Sequence, residues 1–213
     1  MYFVYGKEEL EYLKKKDKRL AQVIERVGKI ERPVDADLFS SVVHHIVGQQ
    51  ISTKAQHSIW TKMQEELGHI TAEALLALDR DKLQKFGITF KKADYIQDFA
   101  HKVHSGQFDL EAIGSMTDEE AIKALATLKG VGVWTAEMLL LFCLQRPNVF
   151  SYGDLAILRG MRMVYHHRAI NKEKFEKYRR RLSPYCSVAS LYFWAVAGGA
   201  MPELKDLAPQ KVK

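Results

Sequence analysis

Leu128-Lys-Gly-Val-Gly-Val-Trp-Thr-Ala136, followed by Val149-Phe-Ser-Tyr-Gly-Asp154, is the stretch whose reading decides the fold. Before it, Ile122, Leu125 and Leu128 recur at helical spacing, and after it an apolar run opens at Trp134. Gly130 and Gly132 flank a single valine between the two helices, so a tight turn delivers the chain into a helix N-terminus. Main-chain N–H groups at such a terminus, with little side-chain bulk around them, suit a phosphate. The segment therefore predicts an anchor for a nucleic-acid backbone.

Working outward, the rest of the chain is also helical in pattern. Apolar residues recur at helical spacing in Leu20, Val23, Ile24, Val27 and in Leu38, Val42, Val43, Ile46. Thr53-x-x-Gln56 and Thr117-x-x-Glu120 fit capping boxes at helix starts, and Gly28, Gly68, Gly87 and Gly106 mark helix ends. Ile30-Glu-Arg-Pro33 is a short strand-like run, but no repeated alternation accompanies it. The expected class is all-α, with no internal repeat and no low-complexity linker.

Composition sets bounds. At 213 residues and 47% hydrophobic content the chain can bury a core as one domain or as two joined lobes. Thirty-two Lys and Arg against 26 Asp and Glu give a formal charge of +6, which favours a polyanionic partner. The N-terminus does not read as a signal sequence and no apolar stretch reaches spanning length, so the expectation is a soluble, intracellular protein with no membrane association; a monomer is also expected. Cys143 and Cys186 are the two cysteines, both expected reduced. Two thiols cannot build a four-cysteine iron–sulfur cluster.

The hairpin and the acid twenty residues after Trp134 resemble those of the helix-hairpin-helix DNA glycosylases. Ile46-Val-Gly-Gln-Gln-Ile-Ser-Thr53 is similar to the segment where that family keeps the residue filling the gap left by an extruded base. Ser183-Pro-Tyr185 and Val188-Ala-Ser-Leu-Tyr-Phe-Trp-Ala195 resemble its last helix. The resemblance covers about Asp17 to Gly199 and points to the 3-methyladenine DNA glycosylase II branch, in a compact form without the additional N-terminal β domain of its bacterial relatives. It implies two helical lobes, approximately residues 36–140 and residues 1–35 plus 141–213, with Asp154 facing the cleft between them.

Residue by residue, the resemblance assigns catalysis to Asp154. Breaking the bond from base to C1′ builds positive charge on the sugar, which a carboxylate opposes while it orients or deprotonates water. Asp154 also fits the N-cap of the helix starting at Leu155, and an aspartate so placed is held rigidly. Trp134 stands where strand-cleaving relatives carry a lysine, so base release by water with no strand cleavage is expected. An electron-rich indole also suits a cationic alkylated purine, a contact of roughly 0.5–2 kcal/mol. Tyr185 and Met138 are the other expected pocket walls. Gln50 takes the wedge position, and a base flipped from the duplex vacates the space it fills. Ser52, Lys129, Gly130, Val131, Gly132 and Thr135 are the expected DNA contacts, Lys129 being equally a solvated turn lysine. Trp60 and Trp194 read as core.

No metal held by side chains is expected. His44-His45 and His166-His167 are adjacent pairs whose side chains diverge by about 100° on a helix. The resemblance allows a monovalent cation on hairpin carbonyls, and implies no other cofactor and no iron–sulfur cluster. Two functions follow: a monofunctional glycosylase for alkylated purines in double-stranded DNA, or a non-catalytic DNA-binding or lesion-sensing protein in which Asp154 only caps a helix.

Overall fold

The computed structural model describes residues 1–209, whose thirteen α-helices belong to two compact units. The all-α expectation holds: among the described residues the one β contact is an isolated Tyr2–Pro33 bridge, beside the run read as strand-like. No helix among them is long and apolar enough to cross a membrane.

Unit 1 comprises Met1–Val34 and Gln145–Lys213. It contains α1 (Lys7–Lys16), α2 (Lys18–Val27), α11 (Leu155–Tyr165), α12 (Lys172–Leu182) and α13 (Cys186–Ala197). Buried Asp17 ties the N-terminal helices to the C-terminal ones. Its Oδ1 accepts from the N–H groups of Arg19 and Leu20 at the start of α2, at 3.1 and 3.0 Å. Its Oδ2 accepts from the Tyr165 hydroxyl at 3.1 Å and an Arg181 guanidinium N–H at 2.9 Å. A buried carboxylate is tolerated when paired and hydrogen-bonded to this degree.

The α11–α13 pair is the most extensive helix contact in this unit. Gly160 makes it close: a Cβ built there would sit 2.1 Å from the Phe193 carbonyl oxygen. Around the crossing, Phe150 stacks on Phe175 at 4.4 Å between ring centres and lies 5.9 Å from Phe193. Helix α13 is buried on nearly every side, so its sequence shows no polar face.

Unit 2 comprises Asp35–Leu144. Its helices are α3 (Leu38–Gly48), α4 (Thr53–Leu67), α5 (Ala72–Leu76), α6 (Arg80–Lys85), α7 (Phe90–His104), α8 (Leu110–Ser115), α9 (Asp118–Leu125) and α10 (Val133–Phe142). The sequence boundaries 36 and 140 differ from these limits for a physical reason. Helix α10 runs on to Phe142, whose carbonyl accepts from the Asp35 N–H at 3.1 Å and closes the two ends of the unit together. The Thr117/Glu120 capping box is present. The second expected box is corrected: Ser52 caps α4 through the Ala55 N–H at 3.2 Å, and Gln56 donates instead to the His44 carbonyl at 3.0 Å. A serine one residue earlier is an equally good cap, and α3 lies within reach of Gln56.

The Gly160 crossing predicts that Gly160→Ala costs about 1–3 kcal/mol, because the added methyl meets main chain rather than a movable side chain. Gly114→Ala in α8, where a Cβ meets nothing within 4 Å, should leave stability unchanged or slightly raised. Thermal melts of both variants check the contrast; equal midpoints would show that α11 and α13 can separate without cost.

Candidate functional site

The hairpin of unit 2 forms as the sequence implies. Val131 is buried, and its N–H closes the turn onto the Leu128 carbonyl at 3.0 Å. Gly130 has φ +82° and lies against Tyr95, whose ring carbon would be 2.5 Å from any Cβ. Both its conformation and its surroundings exclude a side chain there. Gly132 differs. It is extended, a Cβ on it would meet nothing within 4 Å, and as N-cap of α10 it supplies no side-chain bond. The first turn of α10 thus opens to the exterior without a cap, as an anion site requires.

Of the side chains assigned to this end, Trp134 is 45% exposed. Thr135 is buried, so its hydroxyl is turned from any approaching strand and only its main chain belongs to the helix terminus. Met138 is 3% exposed and offers no surface for a base to stack on, which corrects its placement as a pocket wall. It lies one turn beyond Trp134 on an apolar helix and is absorbed by packing. Lys129 is exposed and pairs with Asp98 at 2.6 Å. This bond raises the Lys129 pKa, and with Lys102 it lowers that of Asp98. An exposed pair of this kind contributes little and can exchange partners.

The expected wedge segment also lies in unit 2. Gln50 is exposed and carries φ +56°, a left-handed conformation uncommon for a residue other than glycine. Its neighbour Gln49 donates from Nε2 to the Gly130 carbonyl at 2.5 Å. Lys92 Nζ donates to the carbonyls of Val47 and Gln49 at 2.8 and 2.7 Å. Neither Gln49 nor Lys92 was marked by local pattern. Ser52, exposed, keeps its hydroxyl oxygen as the α4 cap. Two hairpin carbonyls, Leu128 and Gly130, already accept protein hydrogen bonds, so a cation here would have to share them.

In unit 1, Asp154 is 7% exposed at the start of α11. Its Oδ1 accepts from the N–H groups of Ala156 at 2.9 Å and Ile157 at 2.8 Å, and from the indole Nε1–H of Trp194 at 3.1 Å. The loop entering it is pinned by buried Ser187, whose Oγ donates to the Arg146 carbonyl at 2.5 Å and accepts from the Val149 N–H at 2.9 Å. Trp194, read as core from sequence, is thus half-buried and bonded to the candidate acid. Because α13 is apolar on all sides, no sequence feature distinguished this tryptophan.

Tyr185 stands at the opposite end of α13 from Trp194. It precedes the first residue of α13, about 13 Å along the helix from Trp194. It packs edge-on against Tyr12 at 5.1 Å, and its hydroxyl lies 3.4 Å from Glu8 Oε1. Burial and the Glu8 charge raise its pKa. These contacts with α1 are the surroundings of the residue expected as a pocket wall.

The histidines and cysteines have other surroundings. The His44 ring lies tilted against Trp60 at 4.7 Å between centres, and His45 Nδ1 lies 2.8 Å from the Ser41 carbonyl; burial lowers both pKa values. His167 Nε2 bonds the Tyr178 hydroxyl at 2.8 Å. Cys143 and Cys186 are free and buried, and burial pushes their thiols up to about 11 and about 12.

Comparison with known proteins gives this geometry a context. The HhH-GPD superfamily base excision DNA repair protein family matches residues 43–184. DNA-3-methyladenine glycosylase 1 of Schizosaccharomyces pombe is 25% identical over 83% of this chain and 80% of its own length. A putative DNA-3-methyladenine glycosylase of Bacillus subtilis is 24% identical over 82% of this chain, which spans 64% of that relative's length. A crystal structure of DNA-3-methyladenine glycosidase from Bacillus halodurans is 32% identical, covers 97% of both chains and has a TM-score of 0.85. A structure of an S. pombe 3-methyladenine DNA glycosylase in complex with abasic DNA, 24% identical over 90% of this chain and 97% of that one, shares the fold with a TM-score of 0.79. Since the family covers more than half of the sequence and a 32% identical relative follows nearly all of it, the chain belongs to the HhH-GPD superfamily of base excision DNA repair proteins.

Proposed function

We propose that the protein is a monofunctional DNA glycosylase, acting as a monomer on double-stranded DNA, that hydrolyses the N-glycosidic bond of alkylated purines. The observation that carries this reading is the anchoring of Asp154: three N–H groups hold one oxygen of a buried carboxylate and fix its plane. A carboxylate prepositioned in this way needs no reorganisation as charge develops. The relatives named as 3-methyladenine glycosylases support the substrate class.

In this mechanism the hairpin and the open N-terminus of α10 grip the phosphate backbone, while Gln50 fills the stack left by the flipped base. The cationic base stacks on the exposed indole of Trp134 and leaves without a second acid, since its charge already makes it a good leaving group. Asp154 opposes the oxocarbenium at C1′ and directs water to it. A non-catalytic lesion-binding role is the second reading, favoured by one observation: Asp154 serves fully as the N-cap of α11.

Asp154→Asn separates the two. Asparagine caps as well as aspartate, so folding and DNA affinity should persist, while base release from methylated DNA should fall by about 10²–10³ for want of the charge. Near-normal turnover in the variant would leave Asp154 a cap and nothing more.

Gly132→Asp tests the hairpin. The added Cβ enters open space and the carboxylate can cap α10, so stability should be unchanged or rise by a few tenths of a kcal/mol. DNA affinity should drop about tenfold, ~1.4 kcal/mol, for damaged and undamaged duplexes alike, because the new charge occupies the phosphate position. Retained affinity in the folded variant would remove the hairpin from the interface.

With tryptophan at 134 in place of an amine nucleophile, no covalent intermediate should form. Borohydride should trap no protein–DNA adduct, and the abasic product should break only on later heat or alkali. A trapped adduct with the natural protein would overturn the monofunctional reading and direct attention to Lys129.

A further inference from the structure

Lys92 is the third residue of α7, in the first turn, after the Thr89 cap. A cation there opposes the helix macrodipole, and no acid accompanies it in that turn. Its ammonium is directed to another helix end. It donates to the carbonyls of Val47, in the last turn of α3, and Gln49, the α3 C-cap, at 2.8 and 2.7 Å. At that end the dipole favours positive charge, and the carbonyls lack helical partners. Among the described residues Lys92 makes no ion pair, and the half-buried side chain pays a desolvation penalty that lowers its pKa.

What these bonds hold is the peptide before Gln50. The Gln49 N–H reaches the Ile46 carbonyl at 3.4 Å, its carbonyl takes the Lys92 ammonium, and its side-chain amide reaches the Gly130 carbonyl of the hairpin at 2.5 Å. Anchored at all three points, Gln49 leaves Gln50 in the left-handed region at φ +56°, with its side chain exposed. Such a conformation persists where the surroundings over-determine it.

We infer that Lys92 is a positioning residue: its ammonium on the end of α3, with the Gln49–Gly130 bond, locks the Gln50 turn and the phosphate-gripping hairpin into one element, so that the wedge enters the duplex in a register set by the backbone anchor. The inference rests on the proposed wedge role of Gln50. It locates control of base extrusion in a side chain that touches no DNA.

Lys92→Met keeps an unbranched stem of similar bulk and removes the ammonium. In the free protein, amide exchange at Gln49, whose N–H meets the Ile46 carbonyl at 3.4 Å, should rise at least tenfold, a readout that needs no substrate. Affinity for undamaged duplex should stay within about twofold, because the hairpin is intact, whereas single-turnover base release from methylated duplex should fall tenfold or more. Lys92→Cys, alkylated with 2-bromoethylamine to restore an ammonium, should recover both exchange protection and release; the natural protein treated identically controls for Cys143 and Cys186. Unchanged exchange, unchanged release, or a loss that the restored amine does not rescue would each overturn the inference. If Gln50→Ala releases base normally, the wedge reading itself has failed; if Gln50→Ala is impaired and Lys92→Met is not, the fault lies with the role of Lys92 alone.

Discussion

The close crossing of α11 and α13 is the constraint on which the candidate acid depends. At Gly160 the two backbones approach so nearly that a single methyl would strike the Phe193 carbonyl. Phe193 precedes Trp194, and α11 begins at the cap formed by Asp154, so the depth of this contact decides whether the indole N–H reaches the carboxylate. The 3.1 Å bond exists because the helices are packed to main-chain contact. Ser187, at the other end of α13, pins the loop that leads into Asp154, so one helix secures the acid from both sides. Positioning of this kind costs little, since packing that stabilises the unit also orients the acid.

Unit 2 achieves rigidity differently, through polar side chains on main-chain carbonyls. Lys92, Gln49 and Gln56 each donate to a carbonyl near the end of α3 or in the hairpin. Carbonyls at helix ends and in tight turns lack regular partners, and a buried one left unmet is costly. Satisfying them with side chains from α4, α7 and the Gln49–Gln50 turn ties irregular segments to regular ones. The result is an exposed Gln50 in an unfavourable conformation beside a hairpin that keeps its helix N-terminus open. The two glycines of the hairpin divide the labour: Gly130 makes the turn compatible with Tyr95, and Gly132 leaves room.

Much of this was legible from local sequence. Helical periodicity, the Thr117/Glu120 box, the glycine turn and the capping position of Asp154 each depend on residues within a few positions of one another, and each is present in the structure. The family resemblance added expectations that periodicity could not supply: a role for a lone acid after a hairpin, and for tryptophan in place of lysine. The cap of α4 falls at Ser52, one residue before the expected Thr53, because serine and threonine stand side by side and either can serve.

What tertiary structure alone decided is which side chains meet. Trp194 bonds Asp154 across 40 residues of sequence, and Lys92 reaches the end of α3 across 43. Helices α10 and α13 are apolar on almost every side, so their sequences carry no moment from which a facing residue could be chosen; Met138 and Thr135 turned inward and Trp134 outward for reasons of packing. Sequence by itself determined the helices, their caps and the chemistry available, because those follow from short-range sterics and hydrogen bonding. The partners were settled by how closely helices cross, a quantity that no local pattern encodes.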